Sequence, residues 1–139
     1  MENKIKHLEI ITKIIERMEK NSFFLKSWAM TLVVAICALS VNDSEKKFII
    51  IALIPIIVFW FLDSFYLQIE RKYRILYRNV SEKEEKQVDF GLELSTLVLS
   101  ESDRKRTNFV KCLFSFSEIL FYMPLTLALI VIISLLKIF

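Results

Sequence analysis

Three long blocks of apolar residues constrain the fold of this chain more than any other feature. They cover residues 23–41, 48–69 and 113–139, and charged residues interrupt them only near their ends. A helix needs about 20 mainly apolar residues to cross a hydrocarbon core of about 30 Å. The blocks therefore predict three membrane-spanning helices, the first of which requires Lys26 to lie at the membrane interface.

The composition agrees with an integral membrane protein. Of 139 residues, 55% are hydrophobic and 25% are charged, whereas about 45–50% apolar residues is usual for a soluble domain. The high apolar content argues against a disordered chain, and two cysteines are too few for a disulfide scaffold. A single glycine excludes the usual glycine-rich loops that bind nucleotides.

The distribution of Lys and Arg predicts the orientation of the spans. Residues 1–26 carry six such side chains, residues 69–112 carry ten, and the short link at 42–47 carries two. Basic segments stay on the cytoplasmic side of a membrane. We therefore expect a cytoplasmic N-terminus and an outward-facing C-terminus.

The segments outside the spans also have helical patterns. Residues 1–22 predict an amphipathic helix that ends at Asn21–Ser22. This helix is expected to pack on the protein's own cytosolic segment, with the membrane interface or copies of itself as the alternatives. The expected fold is all-α, with cytosolic helices at 1–22 and 70–112.

The second span is predicted to continue as a helix into the cytosol. Its pattern extends to about residue 79, with a kink at Pro55. Residues 81–84 resemble a capping box that restarts a helix, residues 88–99 predict an extended segment or loop, and residues 100–103 predict a helix leading into the third span.

The residues offer little for catalysis. The single histidine, His7, is expected to be a solvated surface residue, and Cys37 and Cys112 are expected to pack among apolar side chains. No triad, metal-ligand cluster or cofactor loop is present in the sequence. We therefore expect no enzymatic activity, no metal and no cofactor.

The ionisable residues within the spans are the strongest functional signal. Lys26, Asp63 and Glu118 all fall near the predicted cytosolic ends of their spans, at a similar depth. In one interpretation Lys26 pairs with Asp63 to lock two helices, while Glu118 reaches the interface or caps its helix. In the other, the three residues form a polar cluster that lines a path for protons, ions or lipid across an oligomer.

A second polar set lies where the second span enters the cytosol. Asp63, Glu70, Arg74 and Tyr77 recur at intervals of seven, four and three residues, which places them on one helix face. Together with Arg71, the last three form a candidate juxtamembrane coupling set.

The first span also carries a ridge of small residues at intervals of four: Ser27, Thr31 and Ala35. Such ridges allow helix backbones to approach closely. The ridge is expected to pack against another span of the same chain or to build a homo-oligomer, and the sequence leaves both open.

Several residues are expected to contact the membrane surface. The run Arg104, Lys105 and Arg106 predicts contact with anionic lipid headgroups. The aromatic residues expected to anchor the interface are Trp28, Trp60, Tyr66 and Tyr122. Eight acidic residues dilute the ten basic ones in residues 69–112, so no nucleic-acid partner is expected.

Two stretches of the chain resemble a widespread group of small, largely uncharacterised bacterial membrane proteins. The matching residues are Arg17-Met18, Asn21-Ser22-Phe23, Leu25 to Trp28, Thr31 to Val33, Phe59 to Asp63, Tyr66-Leu67, Glu70-Arg71 and Arg74 to Tyr77. The resemblance covers roughly the first 95 residues. The chain departs from the group's usual pattern at Ile69, where glutamine is usual, and at Arg78, where an acidic residue is commoner.

The resemblance implies no reaction, but it suggests a location in a bacterial inner (cytoplasmic) membrane and a context. Small multi-span proteins of this kind often accompany bacterial antiphage systems as a killing or sensing component. We therefore expect an oligomeric membrane effector that perturbs membrane integrity when activated. The alternative is a non-conducting scaffold or accessory subunit that recruits a cytosolic protein partner through its basic surface.

Overall fold

The computed structural model describes residues 2–40, 46–84, 87 and 89–135, and the regular structure in these ranges is entirely helical. Short 3-10 segments at Lys46–Ala52 and Leu94–Thr96 accompany five α-helices. The α-helices are α1 (Glu2–Leu39), α2 (Leu53–Glu82), α3 (Glu101–Arg106), α4 (Phe109–Leu113) and α5 (Phe116–Leu135). Most of the expected link at 42–47 lies outside the described residues, as do Val41 and residues 136–139 at the ends of two expected spans.

Three helical segments are long and apolar enough to cross a membrane. They are α1, the stretch Lys47–Glu82 that contains α2, and α5. Their outer faces expose large apolar side chains, among them Trp28 at 60% and Leu120 at 61% of full exposure. Water-soluble proteins rarely expose such extended apolar surfaces, so the fold is consistent with a membrane protein.

The expected break at Asn21–Ser22 is not present, because α1 passes through both residues without interruption. The stretch from Glu2 to Leu39 contains neither glycine nor proline. Asparagine and serine inside a helix cost less than about 0.7 kcal/mol each, which packing against α2 readily offsets. The expected amphipathic helix and the first expected span are therefore parts of one helix, about 57 Å long at about 1.5 Å per residue.

Helices α1 and α2 form an antiparallel hairpin along most of their length. Polar contacts mark its register: Lys4 donates to the carbonyl oxygens of Ser81 at 2.6 Å and Lys83 at 2.8 Å, at the C-terminal end of α2. Further along, Arg74 donates to Glu19 at 2.5 Å. The N-terminal half of α1 thus packs on the extension of α2, as the first of the three expectations for residues 1–22 had it.

Pro55 lies within the first turn of α2, where the helix needs no backbone N–H donor from it. The 3-10 segment Lys46–Ala52 precedes α2. Pro55 therefore lies at the start of a helix, and not at the expected kink inside a longer one. At the other end, α2 continues to Glu82, slightly beyond the expected residue 79. Ser81 and Glu82 therefore belong to the last turn of α2 and do not restart a helix.

The segment between α2 and α5 combines irregular backbone with two short helices. Residues 89–93 and 97–100 have no regular structure, as one of the two expectations for this stretch had it. Ser100 caps α3, accepting from the Asp103 N–H, but α3 does not lead directly into the third candidate span. Asn108 caps a separate helix, α4, and α5 begins only at Phe116.

A small apolar core lies between the three candidate spans, on one side of α1. Ala29 and Val33 of α1 are buried in it, against buried residues of the 3-10 segment Lys46–Ala52, of α2 and of α5. Ser27, Thr31 and Ala35 are all exposed instead. The small-residue ridge therefore does not seat α1 within its own chain, which corrects one of its two expected roles.

The core around Ala29 is expected to reject a larger side chain. Ala29 is fully buried, so Ala29→Leu should destabilise the protein by about 1–3 kcal/mol through overpacking. Ala38→Leu, on an exposed part of the same helix, is the matched control and should stay within about 0.5 kcal/mol. Thermal unfolding of the detergent-solubilised proteins measures both, and equal midpoints would show that this face of α1 is not packed.

Candidate functional site

The three candidate spans meet at one buried polar cluster. The Lys26 ammonium of α1 donates to Asp63 of α2, and it donates to Glu118 Oε1 of α5 at 3.1 Å. Lys26 also donates to Ser22 Oγ at 3.0 Å, one turn earlier on α1. The expected pairing of Lys26 with Asp63 is confirmed. Glu118 points into the bundle and joins the pair, so the three residues form a cluster as the second interpretation expected, and Glu118 does not reach the interface or cap its helix as the first had it.

Two aromatic side chains enclose this cluster. Tyr122 is fully buried one turn after Glu118, and its hydroxyl donates to Asp63 Oδ2 at 3.2 Å. Trp60 stacks on the Tyr122 ring with centroids 5.9 Å apart, and its indole N–H donates to the Leu113 carbonyl at 3.0 Å. Both residues were expected to anchor the membrane interface, but they are directed into the protein.

The cluster contains more carboxylates than cations. Asp63 is 0% and Glu118 is 1% exposed, and Lys26 is the single cation that pairs with either of them among the described residues. Asp63 Oδ1 and Glu118 Oε2 are buried without a hydrogen-bond partner in that part of the chain. Unpaired buried charge is costly, so the arrangement favours uptake of one proton or one cation.

The cluster lies at one end of the apolar core. Counting from Lys26, about thirteen residues of α1 remain before Leu39, which corresponds to about 20 Å of helix. Asp63 lies ten residues, about 15 Å, from the start of α2, and Glu118 lies seventeen residues, about 26 Å, from the end of α5. The apolar side chains that fill this length include Val33, which is 5% exposed. Among the described residues, this apolar packing thus separates the charges from the far end of the bundle.

The candidate coupling set splits into two groups. Arg74 bridges Glu70 at 2.8 Å and Glu19 at 2.5 Å, and the exposed Tyr77 lies one turn further along the same α1-facing side. Arg71 points elsewhere. It donates to the Arg106 carbonyl at 2.9 Å and to Ser115 Oγ at 3.0 Å, which ties α2 to the junctions on either side of α4.

The exposed basic run behaves differently from Arg71. Arg104, Lys105 and Arg106 form the last turn of α3, and their side chains are exposed. None of them forms a salt bridge within the described ranges. Their exposed charges are thus available to a partner or a surface outside the described residues.

His7 is not the surface residue that the sequence predicted. It is fully buried, with Nε2 3.2 Å from the Gly91 carbonyl oxygen and its ring 5.3 Å from that of Phe90. Phe90 adopts a left-handed φ of 54°, and Asp89 accepts from the Gly91 N–H at 3.2 Å. His7 thus fixes the irregular segment onto the N-terminal end of α1.

No group of three or more His, Cys, Asp or Glu side chains able to hold a metal occurs in the ranges that the structure describes. Comparisons with models of known families, with curated proteins and with solved structures yield no match. The geometry of the cluster and the surfaces around it therefore carry the functional argument.

Proposed function

We propose that the protein is a three-span protein of the bacterial cytoplasmic membrane, with its N-terminus and residues 70–112 in the cytoplasm. Two observations support this placement. Within the three apolar blocks the outer faces of α1, α2 and α5 are apolar, and the basic side chains concentrate at the end of the bundle that carries Lys4, Arg74 and Arg104. The apolar faces contact lipid, and the basic end meets the anionic leaflet.

Within that membrane the protein acts as an oligomeric effector that lets ions leak when it is activated. The observation that carries this proposal is the buried cluster of Lys26, Asp63 and Glu118, which joins all three candidate spans and holds one carboxylate in excess. A cluster of this kind holds the three helices together, because its buried charges are stable only while they stay paired. Separation of the helices at this point exposes acidic groups that attract cations.

Assembly into a homo-oligomer uses the exposed ridge of α1. The hydroxyls of Ser27 and Thr31 donate to carbonyl oxygens one turn earlier, at 3.0 and 2.8 Å. Their O–H donors are therefore already satisfied within α1. With Ala35 they leave a shallow strip on which a second helix can pack closely. An effector of this type fits the antiphage context that the resemblance suggests, and we propose that role without any enzymatic reaction.

Membrane potential in cells that express the protein tests the leak. Asp63→Asn removes the charge that ties α2 to Lys26, whereas Lys26 and Glu118 keep their charges. A hydrogen bond to a charged group contributes about 1.5–3 kcal/mol, so the open population is expected to increase at least tenfold. We expect Asp63→Asn to depolarise cells more strongly than the wild type at equal expression, even without an activating signal.

Glu9→Gln is the matched control, since it removes an exposed carboxylate of α1 away from the cluster. It is expected to match the wild type. A steady potential for wild type and Asp63→Asn alike, with both confirmed in the membrane, would contradict the leak.

The alternative function is a non-conducting scaffold. It is favoured by Arg104 and Lys105, which are exposed and form no salt bridge with another described residue. In that case a cytosolic protein recovered with the wild type is lost with Arg104→Glu, while the membrane potential does not change.

A further inference from the structure

A cavity rich in arginine opens between the cytosolic extension of α2 and the short helix α3. Its volume is about 370 Å³, within the usual range of about 300–1,000 Å³ for small-ligand sites. Successive turns of α2 supply one wall, and α3 supplies the other. The lining residues are Arg71, Arg74, Ile75, Arg78, Asp103 and Arg106.

The four guanidinium groups differ in how far they are neutralised. Arg78 is paired with Asp103 at 2.6 Å, and Arg74 is paired with Glu70 and Glu19 outside the cavity. The pKa of Asp103 lies below its ordinary value because the Ser100 hydroxyl and the Arg78 guanidinium both donate to it. Asp103 is therefore ionised at neutral pH, and the Arg78–Asp103 pair carries no net charge.

Arg71 and Arg106 keep their full charge. The side-chain partners of Arg71 are Ser115 and Cys112, and its backbone partner is the Arg106 carbonyl, so no carboxylate meets it within the described residues. Arg106 is exposed and forms no salt bridge there either. Two unpaired guanidinium groups thus face one cavity, with Arg71 held in a fixed orientation.

We propose that this cavity binds a phosphate group. Guanidinium groups suit phosphate because their planar forks donate paired N–H bonds to its oxygens. Arg71 lies two turns beyond Asp63, about 12 Å along α2. This depth suits the phosphate of an anionic lipid headgroup, and the open side of the cavity equally admits a soluble phosphate compound. The inference does not rest on the proposed leak, since it concerns binding alone.

Binding is tested with the full chain purified in a neutral detergent. Inorganic phosphate is titrated against chloride at equal ionic strength, and phosphatidate in mixed micelles is compared with diacylglycerol of the same chains. Affinity and thermal midpoint are recorded in both series. We expect saturable binding in at least one of them. If only inorganic phosphate binds, the site is assigned to soluble phosphate compounds. If only phosphatidate binds, it is assigned to a lipid headgroup.

Arg106→Gln is the informative variant because its exposed side chain contributes little to folding. Loss of one charge-assisted contact should weaken binding about tenfold, while the midpoint without ligand stays the same. Arg17→Gln removes the same charge from an exposed position of α1 outside the cavity and should leave the affinity unchanged. Equal weakening by both variants, or no saturable binding of either probe, would overturn the proposal.

Discussion

Lys26→Met is expected to cause one of the two largest losses of stability in this chain, about 3–5 kcal/mol. The substitution keeps most of the side-chain volume but removes the ammonium that Asp63 and Glu118 share. Both carboxylates are buried, so they would remain together without a cation. Breaking a buried ion pair by removing one partner costs about this much. The thermal midpoint in detergent or lipid nanodiscs should fall by about 10 °C or more.

Neutralising the acids separates the charge effect from a packing effect. In the triple variant Lys26→Met, Asp63→Asn, Glu118→Gln, no charge remains in the cluster, and most of the lost stability should return. Glu118→Gln alone should be neutral or mildly stabilising, because it removes the excess carboxylate and keeps Asp63, which accepts from both Lys26 and Tyr122. A Lys26→Met protein as stable as the wild type would show that the cluster does not hold the helices together.

The same cluster shows how far the sequence predicts the site. The depth of Lys26 and Asp63 along their blocks was enough to predict that they meet, because antiparallel neighbours bring equal depths together. The direction of Glu118 depends on the rotation of α5 about its axis, which an almost wholly apolar helix does not encode clearly. Tyr122 carried a usable signal, since its position four residues after Glu118 places both on one face.

The limits of the fold prediction have a similar origin. The three apolar blocks set the number of long helices. In a membrane, few structures other than a helix satisfy the hydrogen-bonding groups of the backbone. The helix ends were less predictable. Asn21–Ser22 resembles a cap locally, but α2 packs along α1 on both sides of it, and that packing is not visible in the local sequence. His7 was likewise misassigned because Gly91, which covers it, lies 84 residues away.

Trp60→Ala is expected to cause the other large loss, about 3 kcal/mol. Trp60 stacks on Tyr122, meets the Phe114 ring edge-on at 6.2 Å, and donates to the Leu113 carbonyl at 3.0 Å. Truncation of a packed tryptophan costs about 3–5 kcal/mol, and the partial exposure of Trp60 places it at the lower end. Thermal unfolding in detergent should show a midpoint about 10 °C lower.

The chain provides its own control, because it contains only two tryptophans. Trp28 is 60% exposed on α1, so Trp28→Ala should change stability by no more than about 0.5 kcal/mol in detergent. Each variant also leaves a single indole, whose quenching by iodide reports its exposure. Trp60 should be the more protected of the two. Equal losses of stability would contradict the inward orientation of Trp60.

The loss at Trp60 should also depend on the state of the charge cluster. Tyr122 contacts both parts, since it stacks under Trp60 and donates to Asp63. Without Trp60 the Tyr122 ring loses the neighbour that orients its hydroxyl, so Asp63→Asn should cost less in the Trp60→Ala background than in the wild type. Residues that share a partner typically couple by about 0.5–3 kcal/mol in a double-mutant cycle. Strictly additive losses would mean that Tyr122 keeps its place, and its hydrogen bond to Asp63, without Trp60.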